Sequence, residues 1–263
     1  MPMSALHALQ PLYSLSGLVI GFLVGMTGVG GGSLMTPLLI LLFGVHPQTA
    51  VGTDLLYASA TKFVGTGIHG FKGSVDWKVV TRLCAGSIPA SILSLVFLHY
   101  LGMPSSTTSR IISVTLGIAL LLTAPSVLFR EKIRAWASRR SKPLGEKSTA
   151  FLTVFLGFLL GVLVSLSSVG AGAIGVTVLI MLYPTLPTAK IVGSDIAHAV
   201  PLTLIAGSGH WLMGAINIPM LISLLVGSIP GIILGSLFIG KVNETVQRSV
   251  LATILLVVGL RLV

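Results

Sequence analysis

Charge is what this sequence has least of. Only 8% of its 263 residues are Asp, Glu, Lys or Arg, and six are acidic. A soluble domain carries about 25% charged residues, so there is too little charge here to cover a water-facing surface. A single cysteine, Cys84, excludes an intrachain disulfide, and a lone Cys in an apolar run reads as packing. No G-x-x-x-x-G-K-[ST] occurs, so ATP-driven transport by this chain is not expected. No H-E-x-x-H or paired-cysteine pattern points to a metal, and no cofactor is expected. The glycines at 28–32 are not a dinucleotide fingerprint, because no soluble βαβ context surrounds them. Without a basic n-region or a clear A-x-A site at the N-terminus, no cleaved signal peptide is predicted. An intramembrane Ser protease would find Ser and His residues but no feature that specifies a nucleophile, so the chain is read as a non-enzyme.

What the sequence has is apolar length. Hydrophobic residues make up 54% and the mean hydropathy is +1.02. Long apolar stretches without period-2 polarity indicate helices rather than a barrel. The expected fold is an all-α polytopic membrane protein. Its net charge of +10 reads as membrane orientation rather than nucleic-acid binding, because half of it lies between Arg130 and Lys147.

The two halves resemble each other. "GLVIGFLVGMTGVGGGSLMTPLLILLFGVHP" (17–47) aligns without gaps to "GFLLGVLVSLSSVGAGAIGVTVLIMLYPTLP" (157–187). After one inserted residue, "GTD" (52–54) meets "GSD" (193–195), His69 meets His210, and "GSIPA" (86–90) meets "GSIPG" (227–231). The chain divides into a first membrane repeat (1–129), a basic linker (130–147) and a second repeat (148–263).

Each repeat has four apolar segments, near 12–43, 48–70, 79–101 and 111–129, then 151–183, 191–213, 218–240 and 249–263. The last three of each are near the ~20 residues that one crossing needs. The first is too long for one crossing, too short for two, and broken mid-way by Gly28, Gly30, Gly31 and Gly32 or by Gly170 and Gly172. Two arms of 10–15 residues, each reaching half the membrane, make a re-entrant or broken helical hairpin. Each repeat is then a hairpin plus three transmembrane helices, and the two repeats are inverted. With the linker cytoplasmic, Lys72, Lys78, Lys190, Lys241 and Arg248 fall on that side, and Arg110 is the one basic residue placed awkwardly outside.

Glycines at a hairpin tip leave N–H groups free where the second arm begins, at Ser33 and Ala173. A helix N-terminus attracts anions, and Thr27, Ser33, Ser167 and Ser168 add hydroxyls. The tips therefore predict a small-anion site from Thr27, Gly28, Gly30, Gly31, Gly32, Ser33, Ser167, Ser168, Gly170 and Gly172. Close packing without a ligand is the competing account. Lys62, mid-segment, reads as a positive charge beside the anion, or as an interhelical ion pair or a snorkelling side chain; the second repeat has Thr203 there. Asp54 and Asp195, like His69 and His210, are candidates for gating or proton coupling. Helix capping would explain each Asp near a segment start, and an interfacial position each His. Inversion predicts Asp54 level with His210 and Asp195 level with His69. His46 has no counterpart and reads as a loop residue.

These residues resemble the sulfite exporter TauE/SafE family of membrane permeases over nearly the whole chain. The resemblance rests on "GFLVGMTGVGGGSLMTPLLI", "TAVGTDLL" and "GSIPA", with second copies "SSVGAGAIG", "IVGSD" and "GSIPG". It implies a multi-pass cell (cytoplasmic) membrane transporter of small anions, often sulfite or organosulfur acids. The expected function is a secondary transporter, exporter or permease, of sulfite or another sulfur oxyanion or organosulfonate. A permease for a carboxylate and an anion channel are the alternatives. The expected partners are a small anionic substrate and the lipid bilayer, with protons as coupling ion and a homo-oligomer left open and no nucleic acid.

Overall fold

Apolar chain in a bilayer has no water to bond its backbone, so it folds into helices that satisfy their own N–H and C=O groups. The computed structural model describes residues 10–27, 32–71, 73–101, 106–138, 145–237 and 244–263, and among them every regular element is an α-helix. The first repeat supplies α1 (Pro11–Thr27), α2 (Gly32–Leu41), α3 (Pro47–Phe71), α4 (Trp77–Tyr100) and α5 (Ser106–Leu128). The linker carries α6 (Arg130–Ser138). The second repeat supplies α7 (Glu146–Ser167), α8 (Ile174–Leu182), α9 (Thr188–Leu212), α10 (Ile218–Leu237) and α11 (Glu244–Leu262). Among the described residues five helices, α4, α5, α7, α9 and most of α10, are long and apolar enough to cross a membrane, and a shorter apolar helix spans Pro11–Leu23. Their outward faces carry large exposed apolar side chains such as Phe151, Leu159, Val226 and Ile233. Exposed Trp77 and Trp211 sit at helix ends, as in the aromatic belts of membrane proteins.

In both repeats the first two helices fold back on one another. Tyr13 of α1 stacks at 4.7 Å on Phe43 just beyond α2. At the aligned positions, the Thr153 hydroxyl of α7 meets the Tyr183 hydroxyl just beyond α8 at 2.8 Å. Each second arm therefore ends near the level where its first arm began. The arms are unequal, which corrects the expected two halves of 10–15 residues. The first arms have 17 and 22 residues and the second arms 10 and 9. Apolar residues continue helically up to the break at Ser168, and α7 rises about 33 Å in all, counted from Glu146 in the charged end of the bundle.

Long helices pack most closely against helices of the other repeat. Gly17 lies against the Leu224 carbonyl and Gly21 against that of Ser228, so that an added Cβ would strike backbone. Gly157 and Gly161 meet the carbonyls of Leu83 and Ser87 in the same way. In both seams the residue numbers rise together, so α1 runs parallel to α10 and α7 parallel to α4. Asp76 N–H donates to Ser194 Oγ at 2.8 Å, and Asn217 N–H to Thr53 Oγ1 at 3.2 Å. Farther along, Gly209 packs on Leu95 and the Tyr57 hydroxyl reaches Ser228, so α9 runs with α4 and α3 with α10. The remaining central pair is antiparallel, with Gly52 against His210 and Gly207 against Leu56. The first arms α1 and α7 consequently run in opposite directions.

One end of the bundle gathers charge. Glu146 pairs with Lys78 at 2.5 Å and Arg82 at 3.3 Å, and Glu131 of α6 with Arg248 at 3.1 Å and Arg134 at 3.8 Å. His46 lies in the α2–α3 loop, bonded through Nε2 to Ser109 Oγ at 2.9 Å.

Two measurements check this arrangement. Single cysteines at Gln10 and His46 should label from one face of the membrane, and those at Ser148 and Thr188 from the other. Gly157→Leu should lower the unfolding midpoint in detergent by at least the ~1–3 kcal/mol of an overpacked core. Gly145→Leu, where nothing lies within 4 Å of the new carbon, should leave it unchanged.

Candidate functional site

The break in the second hairpin spans Ser168 to Ala173. Ser168 has φ 59°, Gly170 φ 127° and Gly172 φ 112°, all in the region that favours glycine. A turn this tight inside the bundle is supported by its own side chain. Ser167 Oγ donates to the Leu163 carbonyl at 2.6 Å and accepts the Val169 N–H at 3.2 Å. Ser167 is thus committed to the turn rather than free for a ligand. Val169 and Ala173 anchor the tip apolarly against Leu116, Leu120 and Leu255 of α5 and α11. The N-cap of α8, Ala173, has no side-chain cap, so the first N–H groups of α8 depend on neighbours.

The neighbour is a carboxylate. Asp195 is buried on α9, with the Gly172 amide facing it and one oxygen pressed so closely on Gly175 that an added Cβ there would strike it. Neither oxygen has a hydrogen bond of normal geometry. In the first repeat, Asp54 of α3 accepts the Thr36 hydroxyl of α2 at 2.5 Å. Its other oxygen makes no hydrogen bond of normal geometry, and neither does the Ser168 hydroxyl that lies beside the carboxylate. Capping of their own helices is therefore overturned. Helix α3 begins at Pro47 and α9 at Thr188, so each Asp sits two turns inside its helix and turns toward a hairpin arm.

Lys62, partly buried on α3, lies within electrostatic range of Asp195, Asp54 and His198, acting more strongly on Asp195 than on Asp54. Continuing the α3–α9 register puts Lys62 opposite the middle of α9, where Pro201 interrupts the helical bonding. The lysine thus stands between the levels of the two carboxylates.

His210 is buried with its Cβ over Gly52, two residues or about 3 Å of helix rise from Asp54. Its ring meets the Ser165 carbonyl through Nε2 at 3.0 Å, not Asp54, which makes Nε2 the donor. No hydrogen bond joins Asp54 to His210 among the described residues. Gly28, Gly30 and Gly31 lie outside those residues, as do the side chains of Thr27, Ser33 and His69 and the surroundings of Gly32.

Sequence reasoning missed a matched pair of polar contacts. Tyr57 Oη donates to Ser228 Oγ at 2.6 Å, and His198 Nε2 meets Ser87 Oγ at 2.8 Å. The offset that aligns Asp54 with Asp195 also aligns Tyr57 with His198 and Ser87 with Ser228. Thr36, equally unanticipated, carried no signal beyond its place after the glycines.

A helical bundle with apolar membrane-length helices, a broken hairpin in its second repeat and buried carboxylates about a lysine is in keeping with a membrane transport protein. The chain belongs to the sulfite exporter TauE/SafE family, whose model matches residues 13–262. It is 37% identical over 254 residues to the probable membrane transporter protein YjnA of Bacillus subtilis, covering 95% of this chain and 98% of that relative. A probable membrane transporter protein of Methanocaldococcus jannaschii, MJ0441, is 27% identical, covering 96% of this chain and 94% of the relative. No solved structure matches. The expected family, the helical membrane fold and a role in transport are borne out.

The Tyr57–Ser228 bond yields a stability prediction. Tyr57→Phe should cost about 1–3 kcal/mol, because it strands a buried hydroxyl. Adding Ser228→Ala should cost little more, so a double-mutant cycle in detergent unfolding should return a coupling of about 1 kcal/mol.

Proposed function

We propose that the chain is a secondary transporter of a small sulfur oxyanion, sulfite or an organosulfonate, in the cell membrane. Its opposed hairpins would give alternating access to one central site. Irregular backbone at membrane depth is tolerated where it lines a cavity, and secondary transporters place substrates at such breaks between inverted repeats. The observation that carries the reading is the α8 tip. With Gly170 and Gly172 in the left-handed region, the Gly172 amide faces the buried carboxylate of Asp195. Donors that face a carboxylate suit an oxyanion of similar size, and Lys62 supplies a positive charge close by. Binding would proceed as the anion takes over the amides of the tip and Asp195 turns toward Lys62. The relatives' naming as probable membrane transporters agrees with this class of activity.

The same observation favours one second reading. Because the group beside the tip is a carboxylate, a small carboxylic acid is the alternative substrate. Binding of sulfite, thiosulfate, sulfonates and carboxylates to purified protein separates the two, and saturable counterflow in proteoliposomes without ATP separates a carrier from a channel. Sulfur oxyanions should bind at least tenfold more tightly than carboxylates; the reverse order would transfer the reading to carboxylate transport.

Two substitutions test the tip. Gly172→Val forces a β-branched residue to φ 112° and should abolish counterflow while the protein still reaches the membrane. Lys62→Ala should weaken anion binding at least tenfold and Lys62→Arg by less. Unchanged counterflow in Gly172→Val would return the tip to a packing role.

A further inference from the structure

Asp54 has less counter-charge than Asp195. Both are fully buried, but the lysine they share acts more strongly on Asp195, which also feels Arg130 of α6. Asp54 Oδ2 accepts the Thr36 hydroxyl, while neither Oδ1 nor the Ser168 Oγ beside the carboxylate makes a hydrogen bond of normal geometry. Ser168 closes the C-terminal end of α7, where the helix dipole is negative and the last carbonyls lack intrahelical donors.

Most of those carbonyls are accounted for. Leu163 accepts Ser167 Oγ, Val164 accepts the Ser168 N–H, and Ser165 accepts His210 Nε2. No bond among the described residues ends on the carbonyls of Leu166 or Ser167. Around Asp54, α2 contributes the Thr36 hydroxyl, α7 contributes Ser168, and α9 contributes His210 near Gly52. Its own helix contributes Lys62 and, a turn on, Tyr57, whose hydroxyl is given to Ser228. Arg130 acts on Asp195 and not on Asp54, so Lys62 is the one cation acting on Asp54 and it is shared, and a weakly compensated buried charge is costly in a membrane.

We propose that Asp54 Oδ1, Ser168 Oγ and the carbonyl end of α7 bind one hard monovalent cation, Na⁺, that travels with the anion. This rests on the transporter reading above and adds its coupling ion. The donors are oxygens and a single carboxylate, which suits one positive charge. A transition metal would prefer nitrogen or sulfur ligands, and among the described residues no group of three His, Cys, Asp or Glu could hold one. A cation here would stand against Asp54 itself, so that Lys62 can face the incoming anion without stranding that carboxylate. Sodium sites at the carbonyl ends of broken helices are a general device of secondary transporters.

The test uses the purified full chain in lipid nanodiscs, in potassium-free buffer with an organic cation as the balancing ion. Radioactive Na⁺ binding is measured without any anion. Wild type should bind Na⁺ saturably. Asp54→Asn should lose at least tenfold in affinity, and Ser168→Gly, which keeps the left-handed turn, should lose several-fold. No saturable Na⁺ binding, or wild-type binding in both variants, overturns the site. Sulfite counterflow that a proton gradient drives and Na⁺ leaves unchanged overturns the coupling. Na⁺ binding that persists while no anion binds leaves the site standing and removes the oxyanion reading instead.

Discussion

A backbone that leaves the helix inside hydrocarbon must find every hydrogen-bond partner within the protein, since each unpaired polar group there costs several kcal/mol. In this chain the constraint falls on seven residues, Ser167 to Ala173. Ser167 stitches the turn, Gly170 and Gly172 supply the φ values, and Val169 and Ala173 hold the tip against α5 and α11. The carboxylates of Asp195 and Asp54 then follow, one facing the tip's Gly172 amide and the other its Ser168 hydroxyl. Lys62 is tolerable at this depth because it lies between them. The polar centre is therefore a set of mutual obligations set by one irregular turn.

Around it, the bundle is held by contacts made with almost no side chain. Along α1–α10 and α4–α7 the glycines bring backbone against backbone, which suits a membrane protein that gains no hydrophobic energy by pairing apolar helices. Dispersion between closely approached backbones takes over that role. The matched bonds from Asp76 to Ser194 and from Asn217 to Thr53 pin the turns at opposite ends. The same small residues that make the repeats recognisable in sequence are the ones that make the seams.

Much of this was legible in the letters. Segment lengths and the glycine clusters gave the helices and their breaks, because a helix interior tolerates glycine poorly and a bilayer fixes the useful span. Asp54, Asp195 and Lys62 stood out because ionised groups are rare in such segments. The cross-repeat pairing was not legible, because helices that are apolar on every side carry no stripe that says which face meets which neighbour. For the same reason helix capping stood beside gating or proton coupling as an account of the two Asp side chains, when their neighbours are Thr36 of α2, Ser168 at the end of α7, and Gly172 and Gly175 at the start of α8. Thr36, Ser87, His198 and Ser228 were passed over because a single small polar residue, or one unmatched His, is common in membrane helices. Only the repeat offset links Tyr57 to His198.

The glycine seams also set a schedule for synthesis. Gly17 packs on Leu224 and Gly21 on Ser228, so α1 cannot meet its main partner until roughly two hundred more residues have been made. At about 5–20 residues per second, that is a wait of on the order of ten to forty seconds. During it α1 stands in the bilayer with its glycine face against lipid or a provisional neighbour. The second seam closes much sooner, since Leu83 and Gly157 are closer in the chain. Assembly of this bundle accordingly runs from its middle outward, and its first helix is among the last to be locked.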